Sequence, residues 1–89
     1  MAWKIELDPL AEKELDKLDP QIARRILSFL HQRLATQENP RMLGEALKGS
    51  HLGDCWKYCV GDYRIIAKIN DNDIVILVLK LANRKKVYR

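Results

Sequence analysis

Apolar and polar residues alternate from Trp3 to Leu7, with Trp3, Ile5 and Leu7 on one side and Lys4 and Glu6 on the other. That period of two predicts a strand with one buried face. The period then lengthens: Leu10, Ala11, Leu15 and Leu18, followed by Ile22, Ala23, Ile26, Leu27, Leu30 and Leu34, recur at helical spacing, with Arg24, Arg25, Gln32 and Arg33 mostly turned outward. Each run opens on Asp-Pro, Asp8-Pro9 and Asp19-Pro20. The Asp side chain accepts hydrogen bonds from the first turn, and proline at the first helical position loses nothing because that N–H has no partner inside the helix. The pattern predicts an antiparallel pair of helices.

Residues 36–53 mix Pro, Gly and polar residues around one apolar patch, Met42, Leu43, Ala46 and Leu47, and read as a loop with a brief helical turn. Strands are expected over Asp54–Val60 and Tyr63–Asn70, joined at Gly61-Asp62, a pair suited to a two-residue hairpin turn. A third, Ile74–Lys80, follows the polar turn 70–73; its run from Ile74 to Leu79 is unbroken and apolar, as in a central strand covered on both faces. A short last strand or helix is expected at 86–89. The fold class is therefore α+β: an N-terminal strand, a two-helix antiparallel hairpin, then a mostly antiparallel sheet, forming a single domain over residues 1–89.

A two-residue turn at Gly61-Asp62 fixes the register, setting Val60 opposite Tyr63, Cys59 opposite Arg64 and Lys57 opposite Ile66. Trp56, Tyr58, Val60, Tyr63, Ile65, Ala67 and Ile69 then share an apolar face, and Lys57, Cys59, Arg64 and Lys68 share the other. The second face is cationic, and Lys57 and Arg64 are diagonal neighbours on it, roughly 7–8 Å apart. The bland reading is an ordinary solvated sheet face.

Composition sharpens this. The net charge is +4, with 16 Lys and Arg against 12 Asp and Glu, and the excess is concentrated at the end of the chain, where Lys80, Arg84, Lys85, Lys86 and Arg89 occur without an acid. A basic end on a chain this short points to an anionic partner such as nucleic acid, a solvated tail being the alternative. No stretch approaches the ~18 apolar residues of a membrane span, and the short alternation at the amino end (MAWKIELDP) is not expected to act as a secretory signal. Cys55 and Cys59, four apart in one strand, lie about 13 Å from each other, too far to bridge. No further Cys or His completes a metal site, so they read as thiols in a reducing, cytoplasmic setting, with no metal or cofactor expected.

His31 and His51 have no acid spaced to pair with them and read as surface residues. Lysine and arginine can still cleave RNA: a Lys crowded by cations accepts the 2′-hydroxyl proton while Arg holds the phosphate and its developing charge. Tyr88 could orient the hydroxyl or stack on a base, although a lone terminal Tyr usually just packs.

Several separated segments carry a resemblance: residues 8–18 (DPLAEKELDKL), Ala46-Leu47-Lys48-Gly49, residues 56–66 (WKYCVGDYRII), and Asn83-Arg84 leading to Val87-Tyr88-Arg89. In this order and spacing they resemble the RelE/ParE toxin superfamily, over essentially the whole chain. The resemblance implies two helices on a mostly antiparallel sheet and, for the RelE branch, a type II toxin that cleaves messenger RNA in the ribosomal A site by 2′-hydroxyl attack. It implies that Lys57 and Arg64 bind phosphate and stabilise the transition state, that Arg84 supports the leaving side, and that Tyr88 orients substrate. Lys48, Lys68, Lys85 and Lys86 would contact RNA. The implied partners are the ribosome with its messenger and a RelB-like antitoxin through which oligomers form. One position departs: where the family carries a second Lys or Arg two residues after the first, this chain has Cys59. Loss of one such group commonly costs about 10²–10³ in rate, so the chain reads as a full or an attenuated nuclease. Two other readings stay open, a ParE-like gyrase poison and a toxin-fold module that only binds antitoxin.

Overall fold

In the computed structural model, which describes residues 2–47 and 55–83, strand β1 (Lys4–Leu7) runs into helix α1 (Pro9–Asp16) without a loop. Asp8 serves both elements. Its N–H donates to the Val78 carbonyl at 2.8 Å, completing the sheet, while its carboxylate accepts from the Leu10 N–H at 3.1 Å. Asp19 caps helix α2 (Pro20–Ser28) in the same way, accepting from Gln21 N–H at 3.0 Å.

Helix α2 continues as a π-helical turn, Phe29–Leu34, closed by a bond from Ala35 N–H to the Leu30 carbonyl at 2.9 Å. Residues four apart drift by about 40° around an α-helix. Widening the last turn reverses that drift, and Ile26, Leu30 and Leu34 all remain fully buried. Leu10, expected inward, is 53% exposed, because it lies about 100° around the helix from buried Ala11. Leu18, placed on the first helix by its spacing, falls beyond the end of α1 but packs on the core.

The helices cover one face of a five-stranded sheet, ordered β1-β5-β4-β3-β2, with β2 at Glu45–Leu47, β3 at Cys55–Val60, β4 at Tyr63–Asn70 and β5 at Val75–Asn83. Among the described residues only the β1–β5 pairing is parallel. Tyr58, Val60, Ile65, Ala67, Ile76, Val78 and Leu81 meet the helices in the core. The β3–β4 hairpin has the expected register, and Gly61 takes φ +59°, the left-handed conformation that a primed hairpin turn demands.

Three expectations are corrected. Residues 45–47, read as loop, form β2; the helical turn expected there is a 3₁₀ turn at Pro40–Leu43. Ile74 belongs to the turn and not to the strand, at φ +55°, an uncommon conformation for a β-branched residue. Finally β5 runs on to Asn83 and carries a bulge: Ile66 pairs with Lys80 but Ala67 pairs with Val78. Val75 and Leu77 are half-buried on the face away from the helices, so that side of β5 is only partly covered.

The 3₁₀ turn is pinned through its first two residues. The Tyr58 hydroxyl donates to the Pro40 carbonyl at 3.0 Å, and Arg41 makes a two-pronged contact with Asp71 at 2.6 and 3.1 Å while its guanidinium lies 5.9 Å from the centre of the Trp56 ring. Gly44 then brings the chain against β3 so closely that a Cβ there would sit 2.6 Å from Tyr58 Cε1 and 2.8 Å from the Lys57 carbonyl oxygen. Gly44→Ala should therefore cost about 1–3 kcal/mol, seen as a lower urea midpoint.

Burial pushes the Tyr58 phenol up to about 12, against the opposing pull of Arg41. The unfolded phenol ionises near 10, so the unfolded chain loses this proton first. The contribution of Tyr58 is complete below pH about 10 and lost as pH rises from there toward 12. Tyr58→Phe should cost about 1 kcal/mol at neutral pH and flatten the alkaline loss of stability, as denaturant melts across pH 8–12 would show.

Candidate nucleic-acid interface

Strand β4 turns Tyr63, Ile65 and Ala67 toward the helices, which leaves Arg64, Ile66 and Lys68 on the opposite face. Register brings further cations to the same place. Lys57 on β3 is the direct partner of Ile66, Lys80 on β5 is its partner on the other side, and Cys59 is the partner of Arg64. Ile66, only 6% exposed, is thus surrounded by four cations: Arg64 and Lys68 lie about 7 Å away along its strand, and Lys57 and Lys80 flank it across the ladders at about 5 Å between Cβ atoms.

Of the residues expected at the site, Lys57, Arg64 and Lys68 are brought together here. Lys48, Arg84, Lys85, Lys86 and Tyr88 lie outside the described residues, as do His51 and the element expected at 86–89. His31 is exposed on the π-helical turn, away from the cluster. No disulfide joins the cysteines.

Two residues were not placed on this face by the sequence pattern. Lys80 has the wrong parity in a regular strand: with Ile76 and Val78 facing the helices, an unbroken alternation would send Lys80 inward as well. The bulge inserts one residue, so that Leu81 is buried at 4% exposure and Lys80 emerges on the cationic face. Beyond the reach of β1, the Leu81 N–H donates to Glu14 Oε1 of α1 at 2.9 Å, which gives this edge donor a charged acceptor. The second is Glu45, direct partner of Lys57 across the β2–β3 ladder, whose Oε2 lies 3.3 Å from Lys57 Nζ. Both were hidden because a three-residue strand and a single inserted residue are too short to leave a periodic signal.

Electrostatically the face is a cation cluster with Glu45 at its rim. Arg64 is half-buried and its Nε is shielded from solvent, where a charge is screened less than in open water. Such a cluster binds phosphate and stabilises negative charge that develops on it. The Glu45 carboxylate offsets part of the crowding of cations around Lys57. Among the described residues no group of three His, Cys, Asp or Glu side chains converges as a metal site would require, and no helix is long and apolar enough to cross a membrane. A second basic feature lies around the edge of β3, a groove of about 390 Å³ bordered by Arg25, Gln32, Arg33 and Cys59.

The fold has counterparts among known proteins. The family model described as the ParE toxin of type II toxin-antitoxin systems, parDE, matches residues 5–88. Toxin RelG of Mycobacterium tuberculosis is 25% identical over 89 residues, which is 100% of this chain and 99% of that protein. Among solved structures, the archaeal RelE–RelB complex of Pyrococcus horikoshii matches with a TM-score of 0.76 at 31% identity, over 98% of this chain and 100% of that one. The RelBE toxin–antitoxin complex of Mycobacterium tuberculosis matches with a TM-score of 0.83 at 23% identity, over 94% and 93% of the two chains.

The two thiols differ sharply in access, Cys55 being buried and Cys59 exposed. A thiol reagent should therefore modify Cys59 in the native protein and reach Cys55 only on unfolding. Mass spectrometry of the labelled peptides reads this directly.

Proposed function

The chain belongs to the ParE toxin family of type II toxin–antitoxin systems, within the RelE/ParE superfamily, and from that premise we propose that it is a RelE-like endoribonuclease that cuts messenger RNA in the ribosomal A site. The observation that supports this best is the set of four cations around Ile66 on the face opposite the helices. A gyrase poison needs no phosphate-binding cluster at this position, whereas cleavage by an internal hydroxyl needs one.

In this mechanism the 2′-oxygen bonds to phosphorus as its proton passes to water and the bond from phosphorus to the 5′-oxygen breaks, while Lys57 and Arg64 grip the scissile phosphate and stabilise the charge that grows on its other oxygens. Arg64 suits the second task, since a guanidinium is always charged and offers two parallel donors to a phosphate. Lys68 and Lys80 hold flanking phosphates, with Lys48, Lys85 and Lys86 extending the contact. Arg84 supports the departing oxygen, and Tyr88 orients the nucleophile. The ribosome fixes the messenger in the A site, and a RelB-like antitoxin silences the toxin by covering this face or displacing the carboxy-terminal segment.

Cys59 stands beside Arg64 where a further cation would sit, which makes attenuated cleavage part of the proposal. The gyrase-poison reading keeps one observation in its favour, the ParE description of the matching family model. Programmed ribosomes with an empty A site separate the two. Primer extension should find messenger ends within the A-site codon, reduced about 10²–10³-fold by Arg64→Ala and increased by Cys59→Arg. Absence of cleavage even with Cys59→Arg, together with inhibition of DNA supercoiling by gyrase, would establish the other branch.

A further inference from the structure

Within the five strands only Glu6 and Glu45 are acidic, against Lys4, Lys57, Arg64, Lys68 and Lys80. Glu6 is on β1, the opposite edge of the sheet, and lies 3.4 Å from Lys4. Glu45 alone among these acids meets the cation cluster, and it meets Lys57. We propose that Glu45 is a resident counter-ion of the phosphate site, which holds Lys57 toward the β2 edge and must be displaced when an RNA phosphate binds. This rests on the reading of the face as an RNA site.

The placement of Glu45 is enforced by its surroundings. The 3₁₀ turn before it is anchored through Pro40 to Tyr58 and through Arg41 to Asp71, and Gly44 allows the close approach to β3. Strand β2 then pairs Glu45 with Lys57, Ala46 with Trp56 and Leu47 with Cys55. A slip of one residue would turn Glu45 to the helix side and away from Lys57.

The two partners are unequally exposed, which sets the direction of exchange. The Lys57 side chain is 21% exposed and the Glu45 side chain 77%. The glutamate can therefore swing into water with full hydration of its carboxylate, and the lysine is left near the sheet surface. An arriving phosphate offers Lys57 an anion shared with Arg64, its diagonal neighbour, which Glu45 on the far side of Lys57 is not placed to share. Before RNA arrives the carboxylate offsets the charge of one cation of the cluster. Afterwards the glutamate is an anion beside a phosphate, and it weakens binding. Glu45 is thus a positioning residue that lowers affinity for RNA in general.

The test is fluorescence anisotropy with a short single-stranded RNA carrying 2′-O-methyl groups throughout, so that it binds without being cut. At low salt Glu45→Gln should bind about three- to tenfold more tightly than the native protein, with a steeper salt dependence because the site then carries one negative charge fewer beside the bound phosphate. On a Lys57→Met background the same substitution should change affinity less than about twofold, and Glu45→Asp, which keeps the charge, should stay near the native value. Unchanged or weaker binding by Glu45→Gln, with Arg64→Ala still weakening it, would overturn the counter-ion role and leave the RNA site standing. Tightening that persists without Lys57 would also overturn it, as a general charge effect. If Arg64→Ala has no effect either, the RNA site itself is wrong and the inference falls with it.

Discussion

The site depends on which way β4 faces. Ile65 and Ala67 are fully buried against the helices, and a strand with side chains alternating across the sheet has no further freedom: once these residues are inside, Arg64 and Lys68 are on the other face. Slipping the strand by one residue would bury two cations and expose two core positions, at a cost far beyond the few kcal/mol by which a small domain is stable. The cations are therefore held in place by the hydrophobic contacts behind them. Ile66 gives the cluster a nearly buried apolar centre.

The sheet recruits the remaining charges by breaking its own regularity. The bulge in the β4–β5 ladder reverses the parity of β5 and delivers Lys80 to the face, with Glu14 satisfying the backbone donor at the adjoining edge. At the other side a close approach at Gly44 sets β2 beside β3 and brings Glu45 to Lys57. A ladder of unbroken alternation, ended at β3, would carry Lys57, Arg64 and Lys68 alone. Irregularities of this kind concentrate where a fold is adapted to a task.

Much of this was legible in the sequence. Asp-Pro marked the start of both helices because the cap and the proline act locally. Gly61-Asp62 was enough to set the hairpin register, and with it the shared face of Lys57, Cys59, Arg64 and Lys68. The RelE/ParE relationship was also readable from separated segments. What stayed hidden was either brief or long-range. Strand β2 has three residues, the bulge is a single insertion, and the π-helical turn changes only the last part of an apolar stripe that still reads as helical. The parallel pairing of β1 with β5 joins segments at opposite ends of the chain, and an alternating pattern does not name its partner.

If the cation cluster is the RNA site, RNA binds on the sheet face opposite the helices and not in the groove beside α2. Backbone amide shift mapping by NMR, with a 2′-O-methyl oligonucleotide titrated into the toxin, tests it directly. The largest changes among residues 2–47 and 55–83 should then fall at 45, 55–59, 64–68 and 80. Changes confined to residues 25–33, which border the groove, would argue against this face as the RNA site.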